Sequence, residues 1–228
     1  MMGGDNRGTA ALELSDCSCA YPNGRVVLER VNWRVAPGTF VLLSGATGSG
    51  KSTLVRLLLG LLRPTAGEIH VLGEDLTHLP ASGRPKLRRR IGVVAQDLSL
   101  LPDRTVEQNL TLALAVRGKR GRAARRRIGQ LLQDARLVHR RHDRPLQLSG
   151  GERQRLAVVR AAADFPELVL ADEPTAHLDA NNAEVVTEML NRLRMSGSTV
   201  VVMTHALHHF SRSDVLRCHL ERGAVKEL

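Results

Sequence analysis

Residues 11–44 alternate apolar and polar positions in two stretches, ALELSDCSCAYPNG and RVVLERVNWRVAPGTFVLLSG, punctuated at Pro22-Asn23-Gly24 and at Pro37-Gly38. A period of two between turn residues predicts antiparallel strands. The alternation then yields to the continuous apolar run FVLLS, a glycine-rich loop, and STLVRLLLGLL, whose leucines recur with helical period until Pro64. That order reads strand, loop, helix. GEIHVLGEDL reads as a hairpin, IGVVAQ as a short strand after the basic run KLRRRI, and Thr105 to about Arg141 as a helical, arginine-rich block. From Pro166 onward LVLADE, NNAEVVTEMLNRLRM and TVVVMTH give strand, helix and strand, followed by a short helix and a final strand pair. Strands separated by helices imply parallel pairing with right-handed crossovers. Because the helical block separates IGVVAQ from LVLADE, residues of about 98–164 read as a subdomain inserted in an α/β core.

Length fits this organisation, since 228 residues accommodate one domain carrying an insertion. Aromatics at 2% leave an aliphatic core to be built from the 43% of hydrophobic residues. No stretch approaches the 18 or so consecutive apolar residues of a membrane-spanning helix. The start, MMGGDNRG, lacks a basic-then-apolar leader pattern and reads as a disordered tail of residues 1–10, which implies a cytoplasmic address. Cys17, Cys19 and Cys218 lack paired metal-ligand spacing and read as reduced structural thiols. Charge is uneven: residues 117–144 hold eleven Lys and Arg against Asp134 and Asp143, so 11 − 2 = +9 of the net +10 lies there. Such a patch suits nucleic acid, anionic headgroups or an acidic partner, or is a solvated helix face in a chain that prefers Arg to Lys.

The first candidate site is the loop Gly45-Ala46-Thr47-Gly48-Ser49-Gly50-Lys51-Ser52, with Thr53 beside it, which matches GxxxxGK[ST] between a strand and a helix. Its glycines let backbone N–H groups turn inward onto phosphate oxygens, the helix N-terminus adds partial positive charge, and Lys51 reaches the β and γ phosphates. Ser52 is the expected Mg²⁺ ligand. Asp172 ends the apolar strand LVLAD, where a carboxylate orients Mg²⁺, and Glu173 follows as candidate general base for water. A second glycine turn, LSGGERQR from Leu148, opens the helix ERQRLAVVRAAA and is another anion-binding terminus, with Ser149 as its cap.

LSGGE (Leu148–Glu152), Gln96 in VVAQD, Leu178-Asp179, and His205 after VVVMT occur in an order that resembles the ATP-binding cassette (ABC) ATPases, from Tyr21 to beyond His205. The resemblance implies a P-loop NTPase (RecA-like) core with an N-terminal antiparallel β-subdomain and the inserted α-helical subdomain, together one ABC ATPase domain over residues 11–228. It implies that Ser149, Gly150 and Gly151 cap the γ-phosphate of ATP held by the loop of an opposite subunit, so that ATP binding makes a homodimer. It further implies that Tyr21 stacks on adenine, Gln96 contacts the metal and the attacking water, His205 holds the γ-phosphate, and Asp179 lies across the dimer seam. Ala95, His177 and Ala206 depart from the family's usual residues without removing a catalytic group.

Heptad arms and zinc modules of the kind that nucleic-acid-handling ABC ATPases carry are missing from the sequence, so a membrane partner is expected and nucleic acid is not. KLRRRIGVVAQDLSLLPDRTVEQNL, RPLQLSGGERQR and LADEPTAHLD look most like the FtsE branch, the cell-division ATPases paired with an FtsX-like permease that controls cell-wall hydrolases. Lipoprotein-releasing and macrolide-exporting relatives share much of the pattern and form one alternative; a soluble ABC ATPase acting on nucleic acid is the alternative of another class. With a membrane partner of either kind the expected place is the inner face of the cell membrane, held there by the partner. Neutralising Arg125, Arg126 and Arg127 suggests itself as a test of the basic block.

Overall fold

Strands β1 (Leu12–Ala20) and β2 (Val26–Val35) form where the alternating stretches lie. They pair antiparallel, with Leu12, Leu14, Cys17 and Cys19 opposite Val35, Trp33, Val31 and Leu28, all buried. In this computed structural model, which describes residues 10–210 and 214–228, they belong to a four-stranded antiparallel sheet of order β2-β1-β4-β5. Its other strands, β4 (Ala66–Val71) and β5 (Glu74–Asp75), are the expected hairpin. The expected N-terminal tail lies outside the described residues except for Ala10. All three thiols are free and buried, and burial pushes Cys17 up to about 11, which suits packing rather than reactivity.

The second sheet has order β10-β9-β3-β8-β7-β6. Its strands are β3 (Phe40–Ser44), β6 (Ile91–Val94), β7 (Leu168–Asp172), β8 (Thr199–Met203), β9 (Leu216–Glu221) and β10 (Ala224–Glu227). All pair parallel except β10 on β9. Both faces of this sheet are covered, which is why its strands read as apolar runs rather than alternations. Leu42, Val169 and Val200 join one core with helix α6 (Ala180–Met195) and the helical block, whereas Val41, Leu43, Leu168 and Val201 join another with helix α1 (Lys51–Leu58) and the first sheet.

The arginine-rich block is two helices, α3 (Val106–Val116) and α4 (Gly121–Asp134), followed by α5 (Gly150–Ala161). Thr105 starts α3 with a capping box to Gln108. Gly118 and Gly121, both left-handed, turn the chain into α4. Ala124, Ile128, Leu131 and Leu132 give α4 one buried stripe, so its arginines occupy the other faces. The basic run before β6 forms a short helix, α2 (Arg84–Arg89), to which the sequence reading assigned no element. No described helix is long and apolar enough to cross a membrane.

Candidate functional site

Because β3, β8, β7 and β6 are neighbours running the same way, their carboxyl ends open on one edge, where ligands of such sheets collect. β3 delivers the Gly45–Ser52 loop, β8 delivers Thr204 and His205, β7 delivers Asp172 and Glu173, and β6 leads to Gln96. Lys51, Ser52, Gln96, Asp172, Glu173 and His205 line one cavity of about 350 Å³, together with Tyr21, Thr47, Gly48, Gly50 and Thr53.

The loop keeps its shape through backbone that side chains would spoil. Gly50 has φ +109°, and a Cβ there would lie 2.9 Å from Val27 Cγ1. Lys51 Nζ donates to the carbonyls of Gly45 (2.6 Å) and Ala46 (3.2 Å), which sets the ammonium at the mouth of the loop. Ser49 turns inward, with its hydroxyl buried and unpartnered. Helix α1 begins at Lys51, so its positive end faces the cavity. The Tyr21 hydroxyl sits 3.1 Å from Thr53 Oγ1, fixing the aromatic ring beside the first turn of α1.

Ser52 Oγ donates to Asp172 Oδ2 at 3.0 Å. Burial pushes the Asp172 carboxyl above its ordinary range and Glu173 adds to this, opposed by the Ser52 hydroxyl and the Lys51 charge. A further cation beside it would favour its charged form. No three His, Cys, Asp or Glu side chains gather as a metal cage among the described residues. The oxygens of Ser52, Asp172 and Gln96 instead fit Mg²⁺, which keeps water and phosphate oxygens around itself.

Glu173 is held in the left-handed region (φ +49°), an uncommon conformation for a non-glycine residue and one that clusters at functional sites. Thr204, fully buried, accepts from the Ala206 N–H at 3.0 Å and donates to Glu173 Oε2 at 2.8 Å. With that backbone donor on its oxygen, its single proton is directed at the carboxylate. His205 Nδ1 lies 2.9 Å from Glu173 Oε1. On the expectation that Glu173 is the general base, Thr204→Val should lower kcat roughly tenfold or more, since a hydrogen bond to a charged group is worth about 1.5–3 kcal/mol. KM should stay near its original value and Thr204→Ser should restore the rate; steady-state phosphate release reads both, and an unchanged kcat in the valine variant would refute the assignment.

The second glycine turn lies elsewhere: no residue from Ser149 to Gly151 is among those lining the cavity. Ser149 caps α5, accepting from Glu152 N–H (3.2 Å) while its own N–H donates to Glu152 Oε2 (2.8 Å). Arg140 Nε adds a bond to Glu152 Oε1 at 3.2 Å, and these contacts, the Ser149 N–H foremost, hold the Glu152 carboxyl below its usual range. Ser149 and Gly150 are exposed. Asp179 caps α6 by accepting from the backbone and side-chain N–H groups of Asn182 (2.8 and 2.7 Å). Asn182 Oδ1 accepts from Arg155 on α5 at 2.6 Å. Its side chain lies so close to Gly151 that a Cβ there would meet Asn182 Cγ at 2.4 Å.

Four residues of this machinery escaped the sequence reading: Thr204, Arg155, Asn182 and Arg160. Arg160 donates to the carbonyls of Leu98 (2.7 Å) and Ser99 (2.6 Å), holding two consecutive left-handed residues in the loop after Gln96. Thr204 had a signal, being adjacent to His205 at a strand end; the others are ordinary helix residues whose partners are distant in sequence.

Residues 28–176 match the ABC transporter family. The chain is 40% identical over 206 residues to the cell division ATP-binding protein FtsE of Escherichia coli K12, covering 90% of this chain and 93% of that protein. It is 38% identical to FtsE of Bacillus subtilis, covering 85% of each, and 40% identical to FtsE of Mycobacterium tuberculosis, covering 82% and 81%. Among solved structures, the dimeric post-hydrolysis state of the ATP-binding cassette MJ0796 bound to ADP and Pi superposes with a TM-score of 0.86 at 33% identity, covering 95% of this chain and 97% of that one.

Proposed function

The chain belongs to the ABC transporter family as an FtsE-like ATP hydrolase, and from that premise we propose that two copies close head to tail on ATP to drive an FtsX-like permease in cell division. The carrying observation is that the Ser149–Gly151 turn, exposed at Ser149 and Gly150, takes no part in lining the cavity of its own chain's phosphate loop, which leaves it free to meet a second chain's nucleotide. Each turn then completes the partner's site. That the similar cassette MJ0796 is dimeric with ADP and Pi supports a dimer.

In this reading Tyr21 takes the adenine, the loop N–H groups and Lys51 take the phosphates, and His205 takes the γ-phosphate. Ser52, Gln96 and Asp172 would hold Mg²⁺, which supplies neutralisation of charge on the phosphate oxygens. Glu173 accepts a proton from water as that water's oxygen attacks the γ-phosphorus in line, and the β–γ bridging oxygen departs with ADP. Asp179 reaches across the seam.

A membrane partner needs a foothold, and the structure has a groove of about 350 Å³ beside the loop after Gln96. Leu112, Ala113 and Val116 of α3 form one wall, Ile91 and Val93 of β6 the other, with Arg160 between. Leu112 and Val116 are half exposed there, 49% and 57%. A cytoplasmic helix of the permease fits such an apolar groove. Because Arg160 joins α5 to the loop after Gln96, a shift at the nucleotide reaches the groove, and the work is relayed across the membrane to cell-wall hydrolases. The ATPase itself stays peripheral on the inner face.

Mixing two inactive chains tests the shared site. Lys51→Ala disables one chain's loop and Ser149→Arg the other chain's turn; in a mixed dimer both defects fall in one site and leave the second intact. We expect activity to reappear on mixing, at about a quarter of the original if chains pair at random and the sites act independently. No recovery from chains shown to mix would mean that each copy works alone.

A further inference from the structure

We propose that the exposed cations on the first half of α4 form a docking face for an anionic lipid bilayer. The structure divides the eleven basic residues of the arginine-rich block. Arg117 donates to the carbonyls of Arg89, Ile91 and Ala113, Arg127 to those of Ala162 and Ala163 with its guanidinium 4.0 Å over the Phe165 ring, Arg140 pairs with Asp143 and Glu152, and Arg141 pairs with Glu107. These hold the fold together. Arg127 therefore drops out of any test of the free charges, correcting the grouping of Arg125, Arg126 and Arg127 suggested by their adjacency.

Seven cations remain: Arg136 and Arg144 lie exposed beyond the end of α4, and Lys119, Arg120, Arg122, Arg125 and Arg126 cluster at its start. The four arginines of that cluster are exposed, and none makes a side-chain hydrogen bond or ion pair among the described residues, although the Arg141 hydrogen bond that holds the Glu107 carboxyl below its usual range is aided by the Arg125 charge. Lys119 beside them reaches Asp164 at 3.6 Å but stays 57% exposed. The arrangement works against the helix that carries it: α4 has no acidic residue in its first turn, so cations crowd the positive end of the dipole. Arg122 and Arg126 are also like charges four apart on one face. Apart from the Arg125 charge near Glu107, folding gains no side-chain hydrogen bond or ion pair among the described residues from these arginines, and an external anion accounts for them better.

The chemistry of that anion follows from what lies among the arginines. Lys119, Arg120 and Arg125 rim a cleft of about 530 Å³ between α3 and α4, floored by Ala115, Ala124 and Ile128, with the Glu107 carboxylate there already neutralised by Arg141. A cationic rim over a small apolar floor fits a phosphate headgroup and the start of its acyl chains. No aromatic ring stands among these cations to stack a base, as a single-stranded nucleic acid would require. The other side of α3 lines the groove described above for the permease, so both surfaces would meet the same bilayer; that orientation rests on the permease reading, while the charge argument does not.

The test is sedimentation of the purified full chain with phosphatidylcholine vesicles, with and without phosphatidylglycerol, reading ATP hydrolysis on the same samples. Binding should require phosphatidylglycerol and weaken with salt. The variant R120Q/R122Q/R125Q/R126Q should lose two to three orders of magnitude in partitioning, at about fivefold per charge, with hydrolysis in solution unchanged. The corresponding four-lysine variant should bind like the original. Equal binding to pure phosphatidylcholine, or an unchanged glutamine variant, would overturn the proposal, as would displacement from the vesicles by duplex nucleic acid or an acidic peptide at charge concentrations where the lipid should hold. Loss of hydrolysis in the original chain, with vesicle binding intact, would count against the ATPase mechanism and leave this inference standing.

Discussion

Glu173→Gln is expected to slow ATP turnover by roughly 10²- to 10⁴-fold, the range associated with a positioned general base, while ATP binding survives. The side chain keeps its size and its place between Thr204 and His205, and an amide oxygen still accepts one of the bonds now made to the carboxylate. What it loses is basicity toward water. Since Lys51, Ser52 and Asp172 are untouched, the nucleotide stays and the closed form accumulates. Phosphate release measured beside size-exclusion chromatography in ATP should show a slow enzyme running as a dimer, and in ADP as a monomer. Normal turnover by this variant would remove Glu173 from the chemistry, whatever its place in the cavity.

Elements that depend on local chemistry were legible in the sequence. The Gly45–Ser52 loop is set by its own glycines, and the parallel strands announce themselves as apolar runs because both faces of their sheet are covered. Their order in the sheet was not legible, yet it is what brings Lys51, Asp172, Glu173, His205 and Gln96 to one edge. Helix α2 escaped because only Leu87 is buried, and one apolar residue makes no period. The arginine block was visible as charge, but a sequence does not distinguish Arg127, bound to carbonyls of Ala162 and Ala163, from Arg126, which is exposed. Positioning residues such as Thr204 and Asn182 were hidden for the same reason, since their roles consist of contacts across the fold.

Gly151→Ala offers the sharpest separation between a residue that touches nucleotide and one that positions the turn. An added methyl would overlap Asn182, at 2.4 Å from both Cγ and Oδ1, and Asn182 cannot simply swing away because Asp179 and Arg155 hold its amide. The turn or the α6 cap must move by something near an ångström, and a displacement of that size costs on the order of 10²-fold in rate when it misplaces a group at the reacting centre. Binding of a fluorescent ATP to the isolated chain should not change, because no residue of the turn lines that chain's own cavity. The decisive comparison is the double variant with Asn182→Ala, which removes the atoms in the way. If crowding is the cause, the two changes will be far from additive and the double variant will recover about tenfold or more over Gly151→Ala alone. A double variant no faster than the single one would instead locate the conflict across the seam, between the new methyl and the partner's phosphates, and Asn182 would lose its role in holding the turn.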